Sequence, residues 1–295
     1  DSDIAWSWRH SPKAIFGAVV TFILFVGAFG APWLAPHNPF NLASIDLFDA
    51  LLPPAWEADG KMTYLLGTDS QGRDLFSSLL YGTRISLLIG FASVFLAMVI
   101  GILLGLIAGY AGGRVESFIM RVADVQLSFP AILIALLIDG VARAVVPQNM
   151  LDSISFPVLI GAIALAGWPQ YARTVRGSTM VEKNKEYVQA AKVIGVSSPR
   201  IMLTHVLPNV LGPVLVLATV HLATAIITEA TLSFLGVGVP PTSPSLGTLI
   251  RVGNDFLFSG EWWITIFPGV MLVLLVLSVN LLGDWLRDAL NPKLN

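Results

Sequence analysis

Six apolar runs divide the chain, at residues 14–35, 85–110, 118–138, 154–171, 210–235 and 262–282. A bilayer core about 30 Å thick takes about 20 apolar residues in a helix, so each run predicts a membrane span. The fourth run is short and closes on GWPQY, which leaves its far boundary loose. None is long enough to hold two helices. The polar stretches between runs give the organisation: an N-terminal segment 1–13, a first span 14–35, a loop 36–81, a core 82–284 and a tail 285–295. Within the core lie two further polar segments, 172–207 and 236–261. The loops 36–81 and 236–261 are rich in Pro and Gly and read as turns and irregular chain.

Loop charge orients this array. With the N-terminus inside, twelve Lys and Arg fall in inner segments and five in outer ones. That is the bias of the positive-inside rule, so both termini are expected in the cytoplasm. The first run follows Arg9 and Lys13 and imitates a signal peptide. Its 22 residues are long for a signal core and right for a span, so it is read as a retained helix. Composition supports a lipid-embedded chain: 55% of its 295 residues are hydrophobic and 12% are charged, about half the charge of an ordinary soluble domain. A net charge of −2 gives no basic excess for nucleic acid. The chain has no cysteine, which excludes disulfides, thiolate metal sites and cysteine nucleophiles.

Residues inside the runs carry the next layer. Ser93, Ala97, Gly101, Gly105 and Gly109 recur at every fourth position of the second run. They form one face on which helix backbones can approach closely, a packing seam in lipid. In the fifth run His221, Thr224 and Thr228 share a face, and Glu229 sits about 80° round from His221. Ionisable groups in lipid are expensive and turn toward protein or water. Glu229 is therefore either a hydrogen-bonded packing group or a translocation-path residue, and His221, Thr224 and Thr228 are candidate path residues beside it. Asp124, near the end of its run, is expected to pair with Arg121 one turn away.

Signals for chemistry are poor. The chain lacks a Gly-Lys-Ser/Thr phosphate loop, so it should not hydrolyse ATP itself. It also lacks a His-Glu-x-x-His motif, and its four histidines show no metal-ligand spacing. LSFLGVG lacks the Gly-x-Ser-x-Gly elbow, and GTDSQGRD offers too few carboxylates for a calcium cage. No catalytic residue, bound cofactor or metal is expected on this chain.

The segment 172–207 is different in kind. In EYVQAAKVIG, Asn184 is placed to cap a helix with Glu186 in its first turn. Tyr187, Ala191 and Ile194 form an apolar stripe, and Gly195 supplies a left-handed stop. SSP starts a second helix, with Ser198 as cap and Pro199 at the first helical position. Pro208 interrupts that helix before the fifth run. The result is a helix–turn–helix at the inner membrane face. Such a helix can lie in lipid headgroups, but Ala190 and Ala191 stand where membrane anchors would be large, which favours docking on protein.

EYVQAAKVIGVSSPRIMLTHVLPN resembles the signature of permease subunits of binding-protein-dependent ABC importers. Glu186, Ala190, Ala191, Gly195, His205, Leu207, Pro208 and Asn209 occupy the matching places. GTDSQGRDLFSSLLYGTRISL, RVADVQLSFP and EATLSFLGVGVPPTSPSLG resemble the peptide and nickel branch, in its C-type subunit, over roughly residues 16–291. Ser78 departs from that pattern, where an arginine is expected. The resemblance implies an all-α membrane protein of six transmembrane helices with the type I importer fold. It implies a second homologous permease, two ATPase subunits that hold ATP and Mg2+, and an extracytoplasmic binding protein as partners. It also makes residues 184–195 a coupling helix that docks on an ATPase, with Tyr187, His205 and Pro208 in the coupling segment. The rival class is an ion-gradient transporter using Glu229 and Asp124, which would show broken helices in matching halves.

Overall fold

A computed structural model describes residues 8, 10–41, 45–147 and 150–289. Arg9 and Lys293, counted above among the inner cations, lie outside the described residues. Eleven α-helices are described: α1 (Pro12–Phe29), α2 (Ala31–Leu34), α3 (Leu75–Ala111), α4 (Gly113–Leu127), α5 (Ala131–Val145), α6 (Leu151–Glu182), α7 (Glu186–Val193), α8 (Ser198–Ile201), α9 (Leu207–Phe234), α10 (Leu246–Asn254) and α11 (Trp263–Ala289). A π-turn, Met202–Val206, joins α8 to α9. Among the described residues the only β-pairing is an isolated bridge between Thr68 and Asp74.

Five described helical stretches are long and apolar enough to cross a membrane, six with the bent pair α4–α5 counted as one span. The third run is therefore two helices with a 95° bend between them rather than one straight helix. Ser128, Phe129 and Pro130 make the break. Pro130 has no N–H to continue the ladder and disfavours helical backbone at Phe129. The Ser128 hydroxyl bonds back to the Asp124 carbonyl at 2.9 Å.

The fourth run also extends beyond its apolar residues. α6 continues to Glu182 through Pro157 and Pro169, so much of the segment expected to be a loop is the end of a span. The carbonyl that Pro169 leaves without its helical N–H is that of Leu165. Gln126 Nε2 of α4 donates to this carbonyl at 2.5 Å, and Trp168 Nε1 donates to Gln126 Oε1 at 3.0 Å. One side chain thus repairs the proline gap and clamps α4 to α6.

α3 and α6 form the most extensive helix pair. A Cβ added at Gly101 would stand 2.3 Å from Tyr171 Cβ, at Gly105 2.7 Å from Val175 Cβ, and at Gly109 2.7 Å from Thr179 Cβ. The stripe from Ala97 to Gly109 is therefore the surface on which α6 lies, and dispersion at close approach holds the pair.

One loop contains a helix that its Pro/Gly content hides. α10 starts at Ser245, whose Oγ accepts from Thr248 N at 3.3 Å. It buries Leu246 and Leu249, and Gly247 lies against the Ala230 carbonyl of α9. Leu51 and Leu66 of the segment 45–74, with Leu75 of α3, pack on Trp263 and Ile264 at the start of α11. Asp69 there accepts from Arg73 Nε at 2.6 Å, and Asp74 caps α3 through Ser77 N at 2.9 Å. Both carboxylates of GTDSQGRD are thus spent on structure. Ser78 is buried and bonds the Asp74 carbonyl at 2.9 Å.

Candidate functional site

α7 hangs at one end of the bundle. Its helix starts at Glu186, with Lys185 at the N-cap and no side-chain cap. Asn184 instead donates to the Met180 carbonyl at 3.0 Å, because α6 runs so far that Asn184 serves its end. Val188 and Ala191 are the buried residues of α7, packed in the same core as Ile201, Val206 and Val210. Tyr187 is half-exposed, and Val193 and Ile194 are 86% and 78% exposed. The inward stripe is therefore Val188–Ala191, and Ile194 faces outward because it lies past the last helical turn. Glu186, Ala190 and Gly195 are exposed as well. Gly195 has φ +80°, the left-handed stop.

Tyr187 is the knot of this end. Its hydroxyl bonds to Glu182 Oε1 at the end of α6 and lies 3.2 Å from the His205 carbonyl oxygen. Asn209 Nδ2 donates to the Tyr187 hydroxyl at 3.1 Å and to the His205 carbonyl at 2.8 Å. Glu182 also takes Lys185 Nζ at 2.8 Å. Partial burial, with the Glu182 carboxylate beside it, pushes the Tyr187 phenol up to about 12, so at neutral pH it keeps its proton and remains a donor. The imidazole of His205 bonds to Thr204 Oγ1 at 2.7 Å. Pro208 falls just after the π-turn, whose wider backbone accommodates a residue without an N–H. Hence Pro208 does not break the path: α8, the π-turn and α9 form one helical stretch, Ser198–Phe234.

The end of α3 joins the same assembly. Lys183 Nζ donates to the Gly109 carbonyl at 2.7 Å, and Lys192 Nζ stands 5.2 Å from the centre of the Tyr110 ring. Asp124 pairs with Arg173 of α6 and not with Arg121, since the helix packing brings α6 closer than the next turn of α4. Glu116 pairs with Arg176.

Deeper in the bundle, α3, α5, α6 and α9 line an open-sided recess of about 70 Å³. His221, Thr224 and Thr228 line it, together with Ser93, Ala97, Gln170 and Tyr171. His221 Nε2 bonds to Gln170 Oε1, and its ring meets Tyr171 edge-on with centroids 4.8 Å apart. Glu229 stands elsewhere. It is 0% exposed and accepts from Ser86 Oγ at 2.8 Å and Ser233 Oγ at 2.7 Å. Ser86 Oγ in turn accepts from Leu246 N at 3.3 Å, so Glu229 binds α3, α9 and α10 together. Gln170 and Gln126 fall inside GWPQY and RVADVQLSFP but carry no role there because their partners lie on other helices, and Glu182 is not singled out. Asn209 appears there only as a motif position. Among the described residues no group of His, Cys, Asp and Glu could hold a metal ion.

A spanning bundle with a partly polar recess inside and a tethered helix at one end is the architecture of an integral membrane protein. Residues 101–295 match the family described as binding-protein-dependent transport system inner membrane component, and residues 2–54 match the N-terminal TM domain of oligopeptide transport permease C. The chain belongs to this family of inner-membrane transport components. It is 40% identical over 289 residues to the di/tripeptide transport system permease protein DppC of Pseudomonas aeruginosa, covering 98% of this chain and 90% of that one. The dipeptide transport system permease protein DppC of Escherichia coli K12 is 41% identical over 289 residues, covering 97% and 91%. Among solved structures, an inward-facing crystal form of the MetNI methionine ABC transporter superimposes with a TM-score of 0.56 at 21% identity. It covers 72% of this chain and 96% of that chain, a likeness of fold. The protein is a multi-pass inner-membrane permease and not itself an enzyme.

Proposed function

We propose that this chain is one of two membrane-spanning subunits of an ATP-driven ABC importer for di- or oligopeptides. The full-length similarity to permeases named for dipeptides and di/tripeptides supports that cargo. The partners are a second homologous permease, two ATPase subunits and an extracytoplasmic binding protein. ATP and Mg2+ belong to the ATPase subunits. Both termini and α7 face the cytoplasm, in keeping with the distribution of Lys and Arg.

The observation that carries the proposal is the knot at Tyr187. A helix bonded to the end of one span and the start of another cannot move without moving both. α7 is therefore the coupling element. It presents Glu186, Tyr187, Ala190, Val193, Ile194 and Gly195 to an ATPase cleft, while Ala191 holds it from behind and residues 205–209 lead its motion into α9. ATP biases an inward-to-outward equilibrium only through contacts that differ between the two states. His221, Thr224 and Thr228 line the path, whereas Glu229, satisfied by two serines, acts as a clasp beside it.

The test is coexpression with both ATPases, the second permease and the binding protein, followed by reconstitution. Peptide uptake should require internal ATP, and the loaded binding protein should stimulate vanadate-sensitive ATPase activity. Uptake driven by an ion gradient without ATP would instead establish the rival that uses Glu229 and Asp124. Among the described residues only one bent helix pair exists, so the matched broken helices of that class are not seen.

A further inference from the structure

The recess carries hydrogen-bonding capacity that helix packing leaves unused. Ser93 and Tyr171 are both 0% exposed, yet neither hydroxyl has a hydrogen-bond partner among the described residues. Buried polar groups are ordinarily satisfied, and each exception calls for an explanation. Gln170 spends its Oε1 on His221, and its amide hydrogens have no partner among the described residues. Thr224 and Thr228 donate to their own helix at the Val220 and Thr224 carbonyls, 3.4 and 2.9 Å away. Their oxygens are then left as acceptors. The recess thus offers donors at Gln170, Tyr171 and Ser93, and acceptors at Thr224 and Thr228. None of the residues lining it is Asp, Glu, Lys or Arg.

We propose that this recess is a subsite for the peptide bond of the cargo, resting on the peptide-importer reading above. An amide carbonyl accepts from Gln170 Nε2 and the Tyr171 hydroxyl, and the amide N–H donates to Thr228 Oγ1. The apolar walls at Val94 and Ile163 cover an adjoining side chain. Charged peptide termini find no counter-charge here and must lie outside the recess. Neutral hydrogen bonds to the backbone are common to every peptide, so the subsite accepts many side-chain sequences. They are also weak enough to let cargo leave.

The experiment uses the assembled complex in proteoliposomes with its binding protein and a tripeptide carrying a photoreactive diazirine. Uptake of the unlabelled tripeptide is measured first. Without uptake, the peptide-importer reading falls and the subsite with it; uptake with negative labelling results rejects the subsite alone. On illumination during turnover, label is expected on residues 163–171 and 221–228. Unlabelled tripeptide should compete, and an analogue N-methylated at its peptide bonds should compete about tenfold less well. The double variant Gln170→Leu/Tyr171→Phe should lose about tenfold in labelling, while the exposed Phe95→Ala control keeps the wild-type level. Label confined to other regions, or equal competition by the methylated analogue, would overturn the proposal. Should the double variant not assemble, the competition measurement on the wild-type complex decides alone.

Discussion

Asn209, in the first turns of α9, donates its side-chain amide to the Tyr187 hydroxyl of α7 at 3.1 Å, while the same hydroxyl reaches Glu182 at the end of α6. Three helices meet at one phenolic oxygen. Tyr187→Phe keeps the ring and removes that meeting point. It should lower the stability of the purified complex by about 1 kcal/mol, the net worth of a hydrogen bond, seen as a lower melting temperature. Peptide taken up per ATP hydrolysed should fall further than the stability loss explains. An unchanged transport ratio would show that the knot only holds the fold.

Ile194→Asp tests the outward face. The side chain is 78% exposed, so the change should leave melting of the isolated permease pair within about 0.5 kcal/mol. Copurification of the ATPase subunits should drop at least tenfold. Ala191→Trp, by contrast, forces a large ring into a buried position of the core that also holds Val206 and Ile201 and should reduce folded yield.

The seam of α3 and α6 makes a graded prediction. Gly105→Ala forces a methyl to within 2.7 Å of Val175 Cβ and 2.6 Å of the Ala172 carbonyl. It should cost about 1–3 kcal/mol by overpacking, and Gly105→Leu should abolish a monodisperse product. Gly161→Ala on α6 meets nothing within 4 Å and should be tolerated in the same gel-filtration assay.

Asp49 carries a pH dependence for the 36–74 segment. Its bond to Lys61 is the largest cause holding its carboxyl below the usual range, and Tyr64 Oη adds another at 3.1 Å. A depressed folded value contributes stability that is fully present above the unfolded value of about 4. That contribution is lost as pH falls through the lower folded value. Protection factors of residues 47–68, corrected for the intrinsic pH dependence of amide exchange, should therefore fall on acidification below about pH 4. Asp49→Asn should remove this dependence.

Arg143 is the counter-charge of Asp139, with Nε 2.6 Å from Oδ2, and its Nη2 bonds the carbonyls of Val237 and Gly238 at 3.0 and 2.8 Å. Arg143→Met strands a fully buried carboxylate and should cost about 3 kcal/mol. The double variant with Asp139→Asn should recover most of that loss in a thermal melt. Equal losses in single and double variants would place the cost in the loop carbonyls.

Patterns within one helix were the readable part of the chain. The four-residue spacing from Ala97 to Gly109 predicts a seam, and the left-handed stop at Gly195 follows from residue type alone. The bend at Ser128–Pro130 escaped because a proline inside an apolar run reads as a tolerated kink, and only the packing of α4 on α6 decides otherwise. α10 escaped because the prolines before it dominate the composition, although Ser245 with Leu246, Leu249 and Val252 is a capped helical pattern. The partnership of Gln126 with the carbonyl freed by Pro169 joins positions about 40 residues apart, and no local period reports it. For the same reason the recess was half visible: His221, Thr224 and Thr228 share a period on α9, while Gln170 and Tyr171 arrive from α6.

The bend in the third span divides its mechanical loyalties. α4 is lashed to α6 by Gln126, Asp124 and Glu116, while α5 is tied at its far end to the loop beyond α9 by Arg143. Both limbs of the span also pack on α6, so they differ in their polar ties, and the bend at Ser128–Pro130 lies between those ties. A straight span would transmit every displacement from end to end as a rigid rod. A jointed one need not, because a displacement of α4 can be taken up at the bend before it reaches the Arg143 end of α5.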